Sequence, residues 1–204
     1  LDVVSRPDLK PEIMRDLDRQ KQRLSSYQGN PAIAEAPLLQ TLNDVQNCFL
    51  QLEQLDGKIG HALTENDWLT AIRSRISIPG GTCEFDLPAY HAWQHKPAEV
   101  RQEDLQQWMA HLLPLGNSIK LLLLLLRGTG QPSKMTAQAG NFQQNLPQNR
   151  TFQLLRLQMD AESSLIPEIS ANRLIVTIRM MQQDAQGHLL PSQENAEFQL
   201  TLCT

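Results

Sequence analysis

Up to about residue 127 the apolar residues of this chain recur every three or four positions, and beyond residue 150 they alternate one by one. A period near 3.6 lays a stripe along a helix, and a period of two lays a face on a strand. A chain that carries first one and then the other is predicted to be α+β in two parts. The expected division is an α-helical domain over 1–127, a linker or loop over 128–150 and an antiparallel β-strand domain over 151–204. Residues 128–150 are rich in Gly, Gln, Asn, Ser and Pro without apolar period, which is linker composition. At 204 residues the chain can bury roughly 70% of its unfolded surface, so folding requires no disulfide or metal staple.

In the first part, residues 11–28 carry Ile13, Leu17, Leu24 and Tyr27 at helical spacing, with Asp8 placed to cap and Pro11 and Glu12 in the first turn. Gly29-Asn30-Pro31 ends that helix. In residues 35–55, Leu38, Leu42, Val45, Phe49, Leu52 and Leu55 step by three or four, a narrow seam of coiled-coil type. Two such helices with a short connection are expected to form an antiparallel hairpin. Thr64 and Asp67 resemble a capping box that opens a third helix. Ile78-Pro79-Gly80-Gly81 stops that helix, residues 82–86 read as a short extended piece, and Pro88 starts the next helix. Leucine occupies every position from 121 to 126, which predicts the buried central helix of the helical part. In the second part, strands are expected at 152–159, 174–181 and 197–203.

Several function classes are disfavoured by composition. The formal net charge is −4 and aromatics make up 5% of residues, which argues against bulk binding of nucleic acid or a base-stacking surface. The three cysteines, Cys48, Cys83 and Cys203, form no CxxC pair, so neither a disulfide framework nor a structural zinc site is expected, and a reducing cytoplasm suits them. The leucine run falls well short of the roughly 20 apolar residues that span a membrane. No signal peptide is read in residues 1–30, and because the first residue is Leu1 rather than Met, a natural N-terminal segment is expected upstream.

Two rival readings attach to particular residues. His91 and His95 lie four apart on an expected helix and, with Cys83, would be the ligands of a metal-dependent hydrolase. No glutamate stands between them as in HExxH, so structural histidines are the simpler reading and no metal, cofactor or catalytic residue is expected. Arginine is the more informative residue, because 12 of the 18 basic residues are Arg. Arg15, Arg19 and Arg23 form a stripe on the first helix, either a solvated face or the basis of a nucleic-acid-binding module. Arg156 and Arg179 interrupt apolar strands, where their charges must reach water or a carboxylate.

The run Arg73-Ser74-Arg75-Ile76-Ser77-Ile78-Pro79-Gly80-Gly81-Thr82-Cys83-Glu84-Phe85-Asp86-Leu87-Pro88, followed by His91 and Trp93, resembles the Z-ring-associated protein D (ZapD) family of bacterial cell-division proteins. Leu17-Asp18-Arg19-Gln20, Leu113-Pro114-Leu115 and the C-terminal strands extend the resemblance over essentially the whole chain. It implies a helical domain followed by a β-strand domain, a symmetric homodimer, and no enzymatic activity or cofactor. It further implies binding to the C-terminal tail of the tubulin-like protein FtsZ, and cross-linking of FtsZ filaments at the midcell division site in the cytoplasm. Neither nucleic acid nor membrane is an implied partner. The implied partner surface is basic and draws on Arg6, His91, Arg173 and Arg179, while Trp68 stands where the family can carry an arginine. An upstream segment of several dozen residues is also implied.

Overall fold

The computed structural model describes residue 6 and residues 8–204, which form an α+β chain in two compact units, 1–122 and 123–204. In the first unit, α1 (Leu9–Ser25) and α2 (Glu35–Glu53) make the expected hairpin. Its antiparallel sense is marked by Lys10 at one end, whose Nζ donates to the carbonyls of Glu53 and Leu55, and by Lys21, which donates to Gln46 Oε1 at 2.6 Å. A lysine on the last carbonyls of α2 also opposes the negative end of its dipole. Asp8 sits at the N-cap of α1 but makes no side-chain capping bond. The seam is used inside the chain: Leu17 of α1 and Leu38, Val45, Cys48 and Leu52 of α2 are all buried.

Four shorter helices follow: α3 (His61–Thr64), α4 (Asp67–Arg75), α5 (Pro88–Gln94) and α6 (Ala98–Ala110). The capping box expected from Thr64 is absent. Asn66 caps α4, its Oδ1 accepting from the Leu69 amide at 3.0 Å, because Thr64 is spent closing α3 through a hydroxyl bond to the His61 carbonyl. Residues 82–86 are turns rather than an extended piece. The amides of Gly81 and Cys83 bond back to the carbonyls of Ile78 and Gly80, and those of Asp86 and Leu87 bond to Cys83. Such local closure satisfies the backbone without a sheet partner. No side chain of α4, α5 or α6 is fully buried. What joins these three helices is a ring cluster, with Trp68 stacked on Trp108 at 4.9 Å, 5.3 Å from Trp93 and 6.1 Å from Tyr90.

α7 (Leu113–Gly128) follows α6 after a 66° bend. The leucine run 121–126 is not the buried central helix expected of it. Only Leu115 and Ser118 of α7 are buried, the other leucines of the run are half-covered, and Leu124 stays 67% exposed. Leucine on every side of a helix allows burial on every side but supplies no neighbouring elements to cover them. Among the described residues no single helix is long and apolar enough to cross a membrane.

The second unit is a pair of antiparallel sheets. One has the order β1 (Ser133–Ala137), β7 (Ala196–Cys203), β3 (Leu154–Gln158), and the other β2 (Asn141–Asn145), β5 (Ile175–Gln183), β4 (Ile166–Ala171), with β6 (Leu189–Pro191) also on β5. The stretch 128–150 is therefore not a linker, since it supplies β1 and β2 to the two sheets. The core is built by the inward alternation of β5 and β7, where Val176, Ile178 and Met180 meet Ala196, Phe198 and Leu200 together with Ala137 and Leu146. Phe142 meets Phe198 edge to face at 5.2 Å. On the outer side of β7, Thr201 and Cys203 are buried as well, because the chain beyond α7 runs over them: Thr129 Oγ1 accepts from the Thr204 amide at 3.0 Å, and a Cβ at Gly130 would meet Thr201 and the Leu202 carbonyl.

Candidate partner-binding surface

The four residues expected at a partner surface lie in two units, Arg6 and His91 in the first, Arg173 and Arg179 in the second. Arg6 is exposed ahead of α1. His91 lies on α5, which begins at Pro88, a residue with no N–H to leave unsatisfied in the first turn. Its Nε2 is 3.7 Å from Glu84 Oε2, and His95 Nδ1 meets the His91 carbonyl at 2.8 Å. Arg75 and Asp86 stand 3.9 Å apart, and Cys83 Sγ is 3.6 Å from Asp86. These pairs tie the turns of residues 78–87 to the helices on either side. Phe85 at their tip is 82% exposed.

The described residues hold no group of three or more His, Cys, Asp or Glu able to take a metal ion, so His91, His95 and Cys83 do not assemble as ligands. Cys83 is directed at Asp86 and His91 at Glu84. Burial pushes the Cys48 thiol up, further from the reactive thiolate. The arginine stripe of α1 is exposed and locally occupied: Arg19 pairs with Asp16 at 3.1 Å, and Arg23 Nε reaches the Tyr27 hydroxyl at 3.4 Å. Among the described residues, only Arg19 of these three arginines is neutralised by a carboxylate on its own helix, a pair of the exposed i,i+3 kind expected of a solvated face.

Arg179 and Arg173 are set on one strand system but face different surroundings. Arg179 is in mid-β5 on the outer face of its sheet, opposite Asn141 of β2 and Glu168 of β4. The strand alternates, so its neighbours Ile178 and Met180 point into the core while Arg179 reaches water with a carboxylate residue directly across. Arg173 precedes β5 by two residues and borders a cleft of about 320 Å³ at the open end of the sandwich. Six residues of strand rise put the two arginines about 20 Å apart along the chain, too far for one small group to engage both.

The cleft has an apolar wall from both sheets, Leu146 and Val176 on one side and Leu155 and Leu202 on the other, with Phe152 at its edge. Arg150 lies on it together with Arg173, and no Asp or Glu does. Sequence reading missed Arg150, which sits in the polar stretch taken for a linker. The only signal is a single basic residue two positions before Phe152.

The cleft thus combines two arginines with an apolar wall, and among the described residues no group of His, Cys, Asp or Glu could hold a metal ion. A model of the ZapD family, described as a cell division protein, matches residues 1–179. The chain belongs to this family and is a cell-division protein.

Proposed function

We propose that this protein binds the C-terminal tail of FtsZ and, as a homodimer at the midcell division site in the cytoplasm, cross-links FtsZ filaments into bundles that promote septum assembly. It does so without catalysis or cofactor. The observation that carries this reading is the placement of basic residues in both units of a chain whose net charge is −4. Arginine retained at exposed strand and loop positions keeps local positive potential against an opposing overall field, as a partner with carboxylates requires. Membership of a cell-division family supports the same reading. Two tail sites per dimer engaging a polymer with many tails would raise avidity by ~10²–10⁴ over a single site.

The test is co-sedimentation of FtsZ polymers with the purified protein, alongside FtsZ lacking its C-terminal tail. Bundles that pellet with intact FtsZ and vanish with the tail-less form are the expected result. Equal bundling of both forms, or of neither, overturns it. Light scattering at micromolar concentration checks the dimer, and a monomer mass for the full-length protein overturns that part.

A further inference from the structure

We infer that the cleft at the open end of the β-sandwich, with Arg150 and Arg173 at its rim, is where an apolar side chain flanked by a carboxylate is taken up from an acidic peptide. The inference rests on the tail-binding reading above and adds to it a pocket, and Arg150 as a specificity residue. Three observations converge on it. Leu146, Phe152, Leu155, Val176 and Leu202 line the cleft with apolar surface, which an extended peptide can fill only with an apolar side chain. Its volume of about 320 Å³ lies at the lower end for ligand pockets, which suits a side chain or two better than a cofactor. In a chain of 22 acidic residues, this rim carries two arginines and no carboxylate.

Neither arginine has an ion-pair partner among the described residues, so their donor forks remain available to an incoming carboxylate. The contrast within the same unit is sharp. Arg179 already faces Glu168 across the sheet, and the groove along β1, β3 and β7 mixes Lys134 with Asp160 and Glu197. Of these two clefts of the second unit, the Arg150–Arg173 cleft is the one that carries basic residues without an acidic one.

The test measures binding of a fluorescein-labelled FtsZ C-terminal tail peptide to the full chain by anisotropy, with circular dichroism to check folding. Four variants are compared: Arg150→Ala, Arg150→Lys, Ala171→Trp and Arg156→Ala. Arg150→Ala should weaken binding about tenfold, and Arg150→Lys should recover only part, because an ammonium cannot reproduce a bidentate fork. Ala171 is exposed on the cleft wall, so Ala171→Trp obstructs the cavity without removing core, and it should weaken binding at least as much. Arg156 lies on the outer face opposite Thr201 and away from the cleft, so Arg156→Ala should bind like the unaltered chain. As a second readout, methyl resonances of Leu146, Leu155 and Val176 should shift on adding unlabelled peptide. Tight binding by the unaltered chain with no loss in Arg150→Ala and Ala171→Trp overturns the cleft and leaves tail binding standing. No binding by the unaltered chain overturns both.

Discussion

Single positions in this protein hold their turns by side-chain and backbone chemistry that substitution can test. Asn66 is the clearest helix cap, so Asn66→Ala should cost about 1 kcal/mol, read from the urea midpoint. Ala139 is the one described non-glycine residue with positive φ, at +45°, and with Gly140 at +72° it makes the two-residue turn between β1 and β2. Both central residues of such a turn need φ above zero, which asparagine tolerates better than alanine. Ala139→Asn should therefore stabilise by roughly 0.5–1 kcal/mol, and a lower urea midpoint would show the turn to be held otherwise. At the next position the opposite holds. A Cβ on Gly140 would overlap the Ser192 carbonyl, which approaches where β2 and β6 adjoin along β5, so Gly140→Ala should cost at least about 2 kcal/mol. In the β5–β6 turn, the His188 amide, then that of Gln186, donate to Asp184 and hold its carboxyl below the usual carboxylate range. A depressed folded value means the contribution is present above the unfolded value near 3.9 and is lost as pH falls through the folded one. A carboxyl titration by NMR should place Asp184 below an aspartate in an unfolded chain, and a value at or above it would refute the turn geometry.

At the level of elements, the two units are stabilised by different means. The α1–α2 hairpin depends on a few buried aliphatics, and Leu52→Ala, with no exposure to begin with, should cost about 2–5 kcal/mol by denaturant unfolding. α4, α5 and α6 bury no side chain fully and lean on the Trp68–Tyr90–Trp93–Trp108 cluster. The sandwich depends on alternation, and its two sheets are tied by the β1–β2 turn, whose strands belong to different sheets. β5 illustrates how one strand serves both core and surface: its even positions from 176 to 180 fill the core, and the odd position 179 carries charge to the outer face. Arg179→Glu should leave the core intact but set two carboxylates opposite each other, at a cost near 0.5 kcal/mol that shrinks as salt rises.

Taken as a whole, the chain is an acidic cell-division protein with positive charge held at separate places in its two units. Tail binding that depends on those places should weaken with added salt, and it should respond more to Arg173→Glu, in a cleft without carboxylates, than to Arg179→Glu or Arg19→Glu, whose surroundings already contain Glu168 and Asp16. Peptide affinities at two salt concentrations check this order. A larger loss from Arg19→Glu than from Arg173→Glu would move the binding surface to the helical hairpin.

The α+β division, the α1–α2 hairpin, the strands β5 and β7 and the family itself were legible in the sequence, because periodicity and a contiguous motif are local properties of a chain. β1 and β2 were not legible. Their residues, SKMTA and NFQQN, are mostly polar, and the turn between them carries Ala-Gly where Asn-Gly would have announced a hairpin. Only the apolar faces of β5 and β7 make strands of them, by pairing and by burying Ala137 and half-burying Phe142. The same holds for the leucine run, whose hydrophobicity was plain but whose covering was not. It holds for the site as well. Arg150 and Arg173 are 23 positions apart in sequence and share a cleft only because two sheets pack face to face, and such proximity is a property of tertiary structure alone.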